Sequence, residues 1–193
     1  MKKMFYVIVT VLCLFSCGQG KFPAPVDNST SLEKFLVSYH KDYPDWLIND
    51  VVAQKTNDSL MAVFESMADT IFNGYPMKAV TVRQYTDSIY CVNLEAWQKP
   101  YSFELKDEIN EIGGNIIAFV SEEQALKVKE DEFYTFKGKF IKRTNHEFYQ
   151  STTGSSIHYT DGYGVKKNDT WKDKYDFGFG ILVYNVDSLM LYK

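Results

Sequence analysis

Histidine and aspartate side chains are concentrated in one part of the chain, residues 144–176. They are His146, His158, Asp161, Asp169, Asp173 and Asp176. These residue types can transfer protons and activate water, so one hypothesis is a hydrolase that uses Asp and His from this segment. Their spacing matches no H-x-x-x-H, C-x-x-C or calcium-loop pattern, and the chain has no G-x-S-x-G nucleophile motif. We therefore expect no metal ion and no cofactor, and we assign no catalytic residue.

The same segment carries aromatic side chains that follow no helical or strand period. The candidate ligand-binding residues are Tyr149, Tyr159, Tyr163, Trp171 and Tyr175. Exposed rings of this kind can stack on a sugar or a base. The alternative is a hairpin extension, in which residues 147–150 pair with residues 157–160 and the rings pack on the protein. The residue pattern is compatible with either interpretation.

Composition limits the class of protein. Hydrophobic residues make up 45% of the 193 residues, which is enough for a folded core. The chain has 25 acidic against 21 basic side chains and an isoelectric point of about 5.4. Because nucleic-acid binders usually carry a basic surplus, we expect no nucleic-acid partner.

The N-terminus resembles a bacterial lipoprotein signal. Lys2 and Lys3 precede an apolar stretch, residues 4–15, which is too short to span a bilayer. The following Leu14-Phe15-Ser16-Cys17 resembles a lipobox. The resemblance implies that residues 1–16 are a cleaved signal peptide and that Cys17 carries the lipid. Residues 17–30, which contain two Gly, two Pro and one each of Asn, Ser and Thr, would then form a lipidated tether.

This resemblance also implies a location. The membrane would be a partner through the N-terminal lipid, and the protein would belong to the bacterial cell envelope. Gly18, a non-Asp residue after the cysteine, is similar to outer-membrane sorting signals, which favours an outer-membrane position facing the periplasm. Cys13 would leave with the signal peptide, and Cys91 is expected to be a buried, unreactive thiol.

A short motif, Asp followed by Ser or Thr and an apolar residue, occurs four times. It resembles the O-glycosylation sequon used in the periplasm of some anaerobic Gram-negative bacteria. The possible sites are Ser59, Thr70, Ser88 and Ser188. Asp-Ser pairs also form turns and helix caps, so each site has a structural alternative.

Residues 31–74 are predicted to be helical. Thr30 and Glu33 match a capping box at the start of the first helix. Its apolar stripe is Leu32, Phe35, Leu36 and Tyr39. A short second helix is predicted over residues 46–54. A third is predicted to begin at a cap, Asn57 or Asp58, and to end at Asn73-Gly74.

From residue 75 onward the apolar period changes to two, which predicts strands. A hairpin is expected about Asp87-Ser88, a break at Gly113-Gly114-Asn115, and a bulge at Gly138. Ser121 and Gln124 match a second capping box, opening a brief helix through Val128. Residues 177–192 form one bent strand or a hairpin. Helices followed by strands, with no βαβ alternation, predict an α+β chain with a mainly antiparallel β-barrel or sandwich.

Part of this strand region resembles small OB-fold domains of the tRNA_anti-like type. The resemblance is carried by residues 117–120, the helix at 123–128, the strand 133–140 with its glycine, and the closing residues 181–191. It implies an OB-like domain over residues 75–193 with an insert at 144–176, beside the usual ligand face. A cystatin-like or NTF2-like α+β sheet is the alternative fold. We expect a non-enzymatic binding or interaction module for a glycan, a small ligand or an envelope protein partner, with the hydrolase as the alternative.

Overall fold

The computed structural model describes residues 30–45, 50–98, 109–144, 164–167 and 175–192. The helices are α1 (Ser31–Asp42), α2 (Asp50–Ser66), α3 (Ala68–Ile71) and α4 (Glu122–Ala125). The strands are β1 (Met77–Gln84), β2 (Ile89–Gln98), β3 (Ile109–Ser121), β4 (Phe133–Thr144), β5 (Gly164–Lys167) and β6 (Tyr175–Leu191). Within these ranges, no helix is long and apolar enough to cross a membrane.

Helix α1 forms as its local sequence predicts. The Thr30 hydroxyl accepts the Glu33 N–H, and the Glu33 carboxylate accepts the Thr30 N–H at 2.6 Å, which completes the capping box. The helix ends at Asp42, two residues before Pro44. Its predicted apolar stripe is confirmed, since all four members are buried: Leu32, Phe35, Leu36 and Tyr39.

Helix α2 corrects the prediction of two separate helices. It runs without interruption from Asp50 to Ser66, so Asn57 and Asp58 lie inside the helix and do not cap it. The Asn57 side chain instead bonds to the backbone of Val165 on β5, a contact between residues far apart in sequence. The predicted start at Trp46 lies outside the described residues. The predicted third helix is not continuous, because α2 ends at Ser66 and α3 begins at Ala68, but the helical segment does stop before Gly74 as predicted.

The strands form a barrel-like sheet. Strands β1, β2 and β3 make an antiparallel meander, β3 then pairs in parallel with β6, and β6 pairs antiparallel with β4. Two residue pairs between β4 and β1 close the ring, and among the described strands β5 pairs with β6 alone. The α+β class and the barrel-like closure are therefore as predicted.

Two predictions concern glycines in the strands: a break at Gly113-Gly114, which is wrong, and a bulge at Gly138, which is confirmed. Strand β3 runs through Gly113 and Gly114, where a break was predicted. At Gly114 the backbone has φ +149, and a Cβ atom would lie 2.5 Å from the Phe179 ring, so packing rather than a turn accounts for this glycine. The predicted bulge at Gly138 is confirmed by a register shift between Lys137 and Gly138 against β6.

The second capping box is also confirmed. The Ser121 hydroxyl accepts the Gln124 N–H, and the Gln124 side chain accepts the Ser121 N–H. The helix is shorter than predicted, because α4 ends at Ala125 and the chain continues to Val128 as a turn. The closing residues form a single long strand, β6, with no hairpin.

The N-terminal helices share one hydrophobic core with the inside of the barrel. The Phe72 ring contacts Phe179 at a centroid distance of 4.9 Å, and Phe64 packs on Phe177 at 5.9 Å. The Tyr184 hydroxyl donates a 2.8 Å hydrogen bond to the Ala68 carbonyl. The helical segment and the barrel are thus joined by buried aromatic packing, as expected for one folded unit.

Carboxylates bond to the backbone where β1 and β4 diverge. The Glu130 carboxylate accepts the Val82 N–H of β1 at 3.1 Å, and the Asp69 carboxylate accepts the Phe140 N–H of β4 at 2.7 Å. Side chains therefore satisfy strand donors beyond the short β1–β4 ladder.

Candidate binding face

Strands β2, β3 and β6 are buried on both of their faces. One face lines the main core, and the other carries a separate buried cluster, which we call the outer layer. It consists of Cys91, Ile117, Ile181 and Val183, with Phe119 partly buried against them. The outside of a barrel is ordinarily polar, so we take this second apolar layer, whose four buried members are at most 9% exposed, as the candidate binding region.

Local sequence explains why both faces are apolar. Residues 116–120 of β3 and 181–184 of β6 are continuous apolar runs, so alternating side chains supply both layers. The Ile116 side chain lies in the main core, whereas its neighbour Ile117 lies in the outer layer. Gly180, whose φ is +68, immediately precedes the apolar run 181–184 of β6.

Two buried asparagines lie on this outer face. Asn93 is 6% exposed and Asn115 is 5% exposed. Asn93 pairs with Ile117 across β2 and β3, and Asn115 pairs with Glu95 across the same strands. Because side chains two residues apart share a face, both amides lie on the side of Ile117. Among the residues that the structure describes, the Oδ1 atom of each asparagine has no hydrogen-bond partner.

An aromatic pair borders the outer layer. The Tyr85 ring lies 4.9 Å from the Phe119 ring, and the Tyr85 side chain is 49% exposed. Phe119 itself packs against the outer layer. The exposed ring of Tyr85 provides a stacking surface beside that layer.

Most of the predicted aromatic site falls outside the described residues: Tyr149, Tyr159, Tyr163 and Trp171. Tyr175 is described. Its side chain is half-buried and packs against the main core, while its backbone pairs with Ile109 and Lys167. The structure therefore does not bring Tyr175 to the outer layer.

The residues of the hydrolase hypothesis are mostly outside the described part as well. Asp176 is the one member that the structure describes, and it is half-buried on β6 opposite Glu111 and Lys166. Within the described ranges, no group of three or more His, Cys, Asp or Glu side chains could hold a metal ion.

The four O-glycosylation-like motifs occupy different settings. Ser59, Thr70 and Ser88 are exposed, and Ser188 is half-buried on β6. The apolar residue that completes each motif is Leu60 after Ser59 and Ile71 after Thr70, and both are fully buried. Ile89, which follows Ser88, is 40% exposed. The Ser88 motif lies in the β1–β2 turn and is exposed along all three of its residues. It is therefore the most accessible of the four to a modifying enzyme.

Shifted pKa values occur at buried phenols that have structural roles. Burial raises the pKa of Tyr184, and the Asp69 carboxylate adds to this shift. Burial also raises the pKa of Tyr75 and, less strongly, that of Tyr39, whose hydroxyl donates to the Thr56 carbonyl. On the surface, a hydrogen bond from Lys127 lowers the pKa of Glu123. All four groups lie outside the outer layer.

Comparisons with known protein families, curated proteins and solved structures give no match to this chain.

Proposed function

We propose that the chain is a lipid-anchored envelope protein that binds a glycan, a small ligand or an envelope protein partner without catalysing a reaction. The observation that carries this proposal is the outer layer of β2, β3 and β6, whose apolar side chains share a face with two buried amide oxygens that have no hydrogen-bond partner among the described residues. Apolar surface with a few polar groups is the usual composition of a binding site.

We also propose that the barrel is OB-like. Supporting this assignment are the β1–β2–β3 meander, the parallel pairing of β3 with β6, and the position of α4 between β3 and β4. OB-folds bind their ligands on the face of their second and third strands. That face corresponds here to the side of β2 and β3 that carries the outer layer.

The envelope location is supported by the N-terminal sequence. The basic residues Lys2 and Lys3, the short apolar stretch and the lipobox-like Cys17 favour export and lipidation. In this proposal the lipid holds the protein at the outer membrane, with the barrel on the periplasmic side.

Cys91 provides a built-in reporter for a test of the binding function. It lies in the outer layer and is 2% exposed, so its reaction with N-ethylmaleimide should be slow. The full chain, purified in mild detergent, is mixed with cellobiose, chitobiose, soluble muropeptides or a detergent extract of the host envelope. Labelling of Cys91 is read by peptide mass spectrometry, and thermal unfolding is followed by intrinsic fluorescence.

A binding probe is expected to change the Cys91 labelling rate and to raise the unfolding temperature. A matched control variant is Ser38→Cys, on the exposed side of α1, whose labelling rate should be the same with and without the probe. If none of the four additions changes either measurement, the proposed function is wrong.

A further inference from the structure

A row of side chains open to solvent crosses the outside of the barrel beside the outer layer. Phe119 of β3 pairs with Asn185 of β6, and Asn185 pairs in turn with Lys139 of β4. The Phe119 side chain is half-buried, whereas Asn185 and Lys139 are exposed. The Tyr85 ring, which contacts Phe119 and is 49% exposed, completes what we call the cross-strand row. A ligand can contact this row without any opening of the outer layer.

The strand pattern places the members of the row on one face. Asn185 lies two residues after Val183, a member of the outer layer, and Lys139 lies directly before Phe140, which packs against the main core. Since successive strand residues alternate between the two faces of a sheet, Asn185 and Lys139 both point to the outside of the barrel. The row thus continues from β3 onto β6 and β4.

The charge around the row is mainly positive. On β4 the same face carries Lys137 and Lys142 as well as Lys139, and on β1 it carries Arg83. The exposed acid nearest to the row on β6 is Asp187. Among the described residues, Lys137 and Lys139 have no ion-pair partner. This face therefore favours an anionic ligand, although the chain as a whole has a net charge of −4.

We propose that the cross-strand row binds an acidic sugar, a sugar ring that carries a carboxylate. This inference rests on the proposed binding function and adds the class of ligand and the residues that select it. The Tyr85 ring stacks on the apolar side of the sugar. The Asn185 amide both donates to and accepts from its hydroxyl groups, and the Lys139 ammonium donates to its carboxylate.

The spacing of the row suits such a ligand. Neighbouring strands lie about 4.7–4.9 Å apart, so the backbones at Phe119 and Lys139 are separated by two spacings, or roughly 10 Å. A sugar ring that covers the aromatic pair and Asn185 brings its carboxylate within reach of the flexible Lys139 side chain. A neutral sugar would leave this ammonium group unused, and a lipid acyl chain has no hydroxyl groups for the Asn185 amide.

The test is isothermal titration calorimetry of the full chain in mild detergent with trigalacturonate, and with its methyl ester as the neutral ligand of the same shape. Lys139→Gln is expected to weaken binding of trigalacturonate by about three- to fivefold, the range of an exposed ion pair, and to leave binding of the methyl ester unchanged. The matched control is Lys34→Gln on the exposed side of α1, which changes the net charge equally and should affect neither ligand.

Two further variants separate stacking from charge. Tyr85→Ala removes the stacking ring and should weaken trigalacturonate and its methyl ester alike, by about fivefold. Asp187→Asn removes a nearby negative charge and should strengthen binding of trigalacturonate alone. All the substituted positions are exposed, so the unfolding temperature of each variant should match that of the parent chain.

Three results would overturn the inference. If trigalacturonate binds no more tightly than its methyl ester, or if Lys139→Gln and Lys34→Gln bind it equally, the row does not select an acidic sugar. If trigalacturonate does not bind but another addition changes Cys91 labelling, the inference is wrong while the proposed function stands. If neither trigalacturonate nor any of the four earlier additions has an effect, both are wrong.

Discussion

The bond between Asn57 and β5 gives the sharpest prediction about stability. The Asn57 Nδ2 donates to the Val165 carbonyl at 3.0 Å, and the Val165 N–H donates to Asn57 Oδ1 at 2.9 Å. The side chain thus pairs with both backbone groups of Val165, as a neighbouring strand would. Gly164 lies beside it with φ +80, and a Cβ atom there would overlap the Asn57 side chain.

Asn57→Ala removes both hydrogen bonds. Val165 is 2% exposed, so its N–H and C=O would be left without partners in a buried place. With about 1–3 kcal/mol for each unsatisfied group, and allowing for partial relaxation, we expect a loss of roughly 2–4 kcal/mol in the local stability of β5. Asn57→Asp keeps the acceptor for the N–H but sets a carboxylate oxygen against the Val165 carbonyl, and because two acceptors repel each other a loss of protection is expected for this variant as well.

Hydrogen exchange measures this loss directly. A decrease of 2 kcal/mol in the opening free energy of β5 corresponds to about 30-fold lower protection of the peptide that contains residues 164–167. The control variant is Gln54→Ala, an exposed position one turn earlier on α2. Peptides from β2 and β3 serve as an internal reference. If Asn57→Ala leaves the β5 peptide as protected as Gln54→Ala does, the two hydrogen bonds do not hold β5 and the reasoning is refuted.

Four further predictions concern other parts of the chain. Gly114→Ala should destabilise the protein by about 1–3 kcal/mol in urea unfolding, because a methyl group there overlaps a buried ring; an unchanged midpoint would contradict this packing. The pKa of Tyr184 is raised in the folded state, so its contribution is present below about pH 10 and is lost as pH rises further, by up to about 1.4 kcal/mol per pH unit. Urea unfolding at pH 9, 10 and 11 tests this, and Tyr184→Phe should reduce the slope. Among the four sequon-like sites we expect Ser88 to be modified first; intact mass of the native protein should show an added glycan that Ser88→Ala removes, and an unmodified mass would exclude it. Blocking lipoprotein signal peptidase should leave a longer precursor with an uncleaved segment before Cys17, and failure of that precursor to accumulate would contradict the anchor.

The elements that could be predicted from sequence are those whose causes are local. The capping box of Thr30 and Glu33 joins residues three apart, and the stripe of α1 repeats at helical spacing, so both are readable in a short window. The prediction that Asn57 caps a helix is wrong because its partner, Val165, is 108 residues away. The predicted break at Gly113-Gly114 is wrong for the same reason, since the ring that requires Gly114 belongs to another strand.

The candidate site was harder to predict than the fold. Asn93 and Asn115 are single polar residues in two strands, and no spacing connects them until the register of β2 and β3 is known. The continuous apolar run at 116–120 was the one available signal, because a strand that is apolar at every position must be buried on both faces. That signal indicates the layer but not the amides within it.

Strand β6 has a consequence for how the chain acquires its structure. It pairs with β3, β4 and β5, and it follows all of them in chain order. The meander of β1, β2 and β3 can form early because these strands are neighbours in sequence. The ring of strands cannot close until β6 has been synthesised and has paired with β3 and β4. Closure therefore depends on contacts between distant parts of the sequence, which slows folding. A chain emerging from a ribosome or a translocation pore would remain open, and accessible to chaperones and proteases, until this last strand arrives.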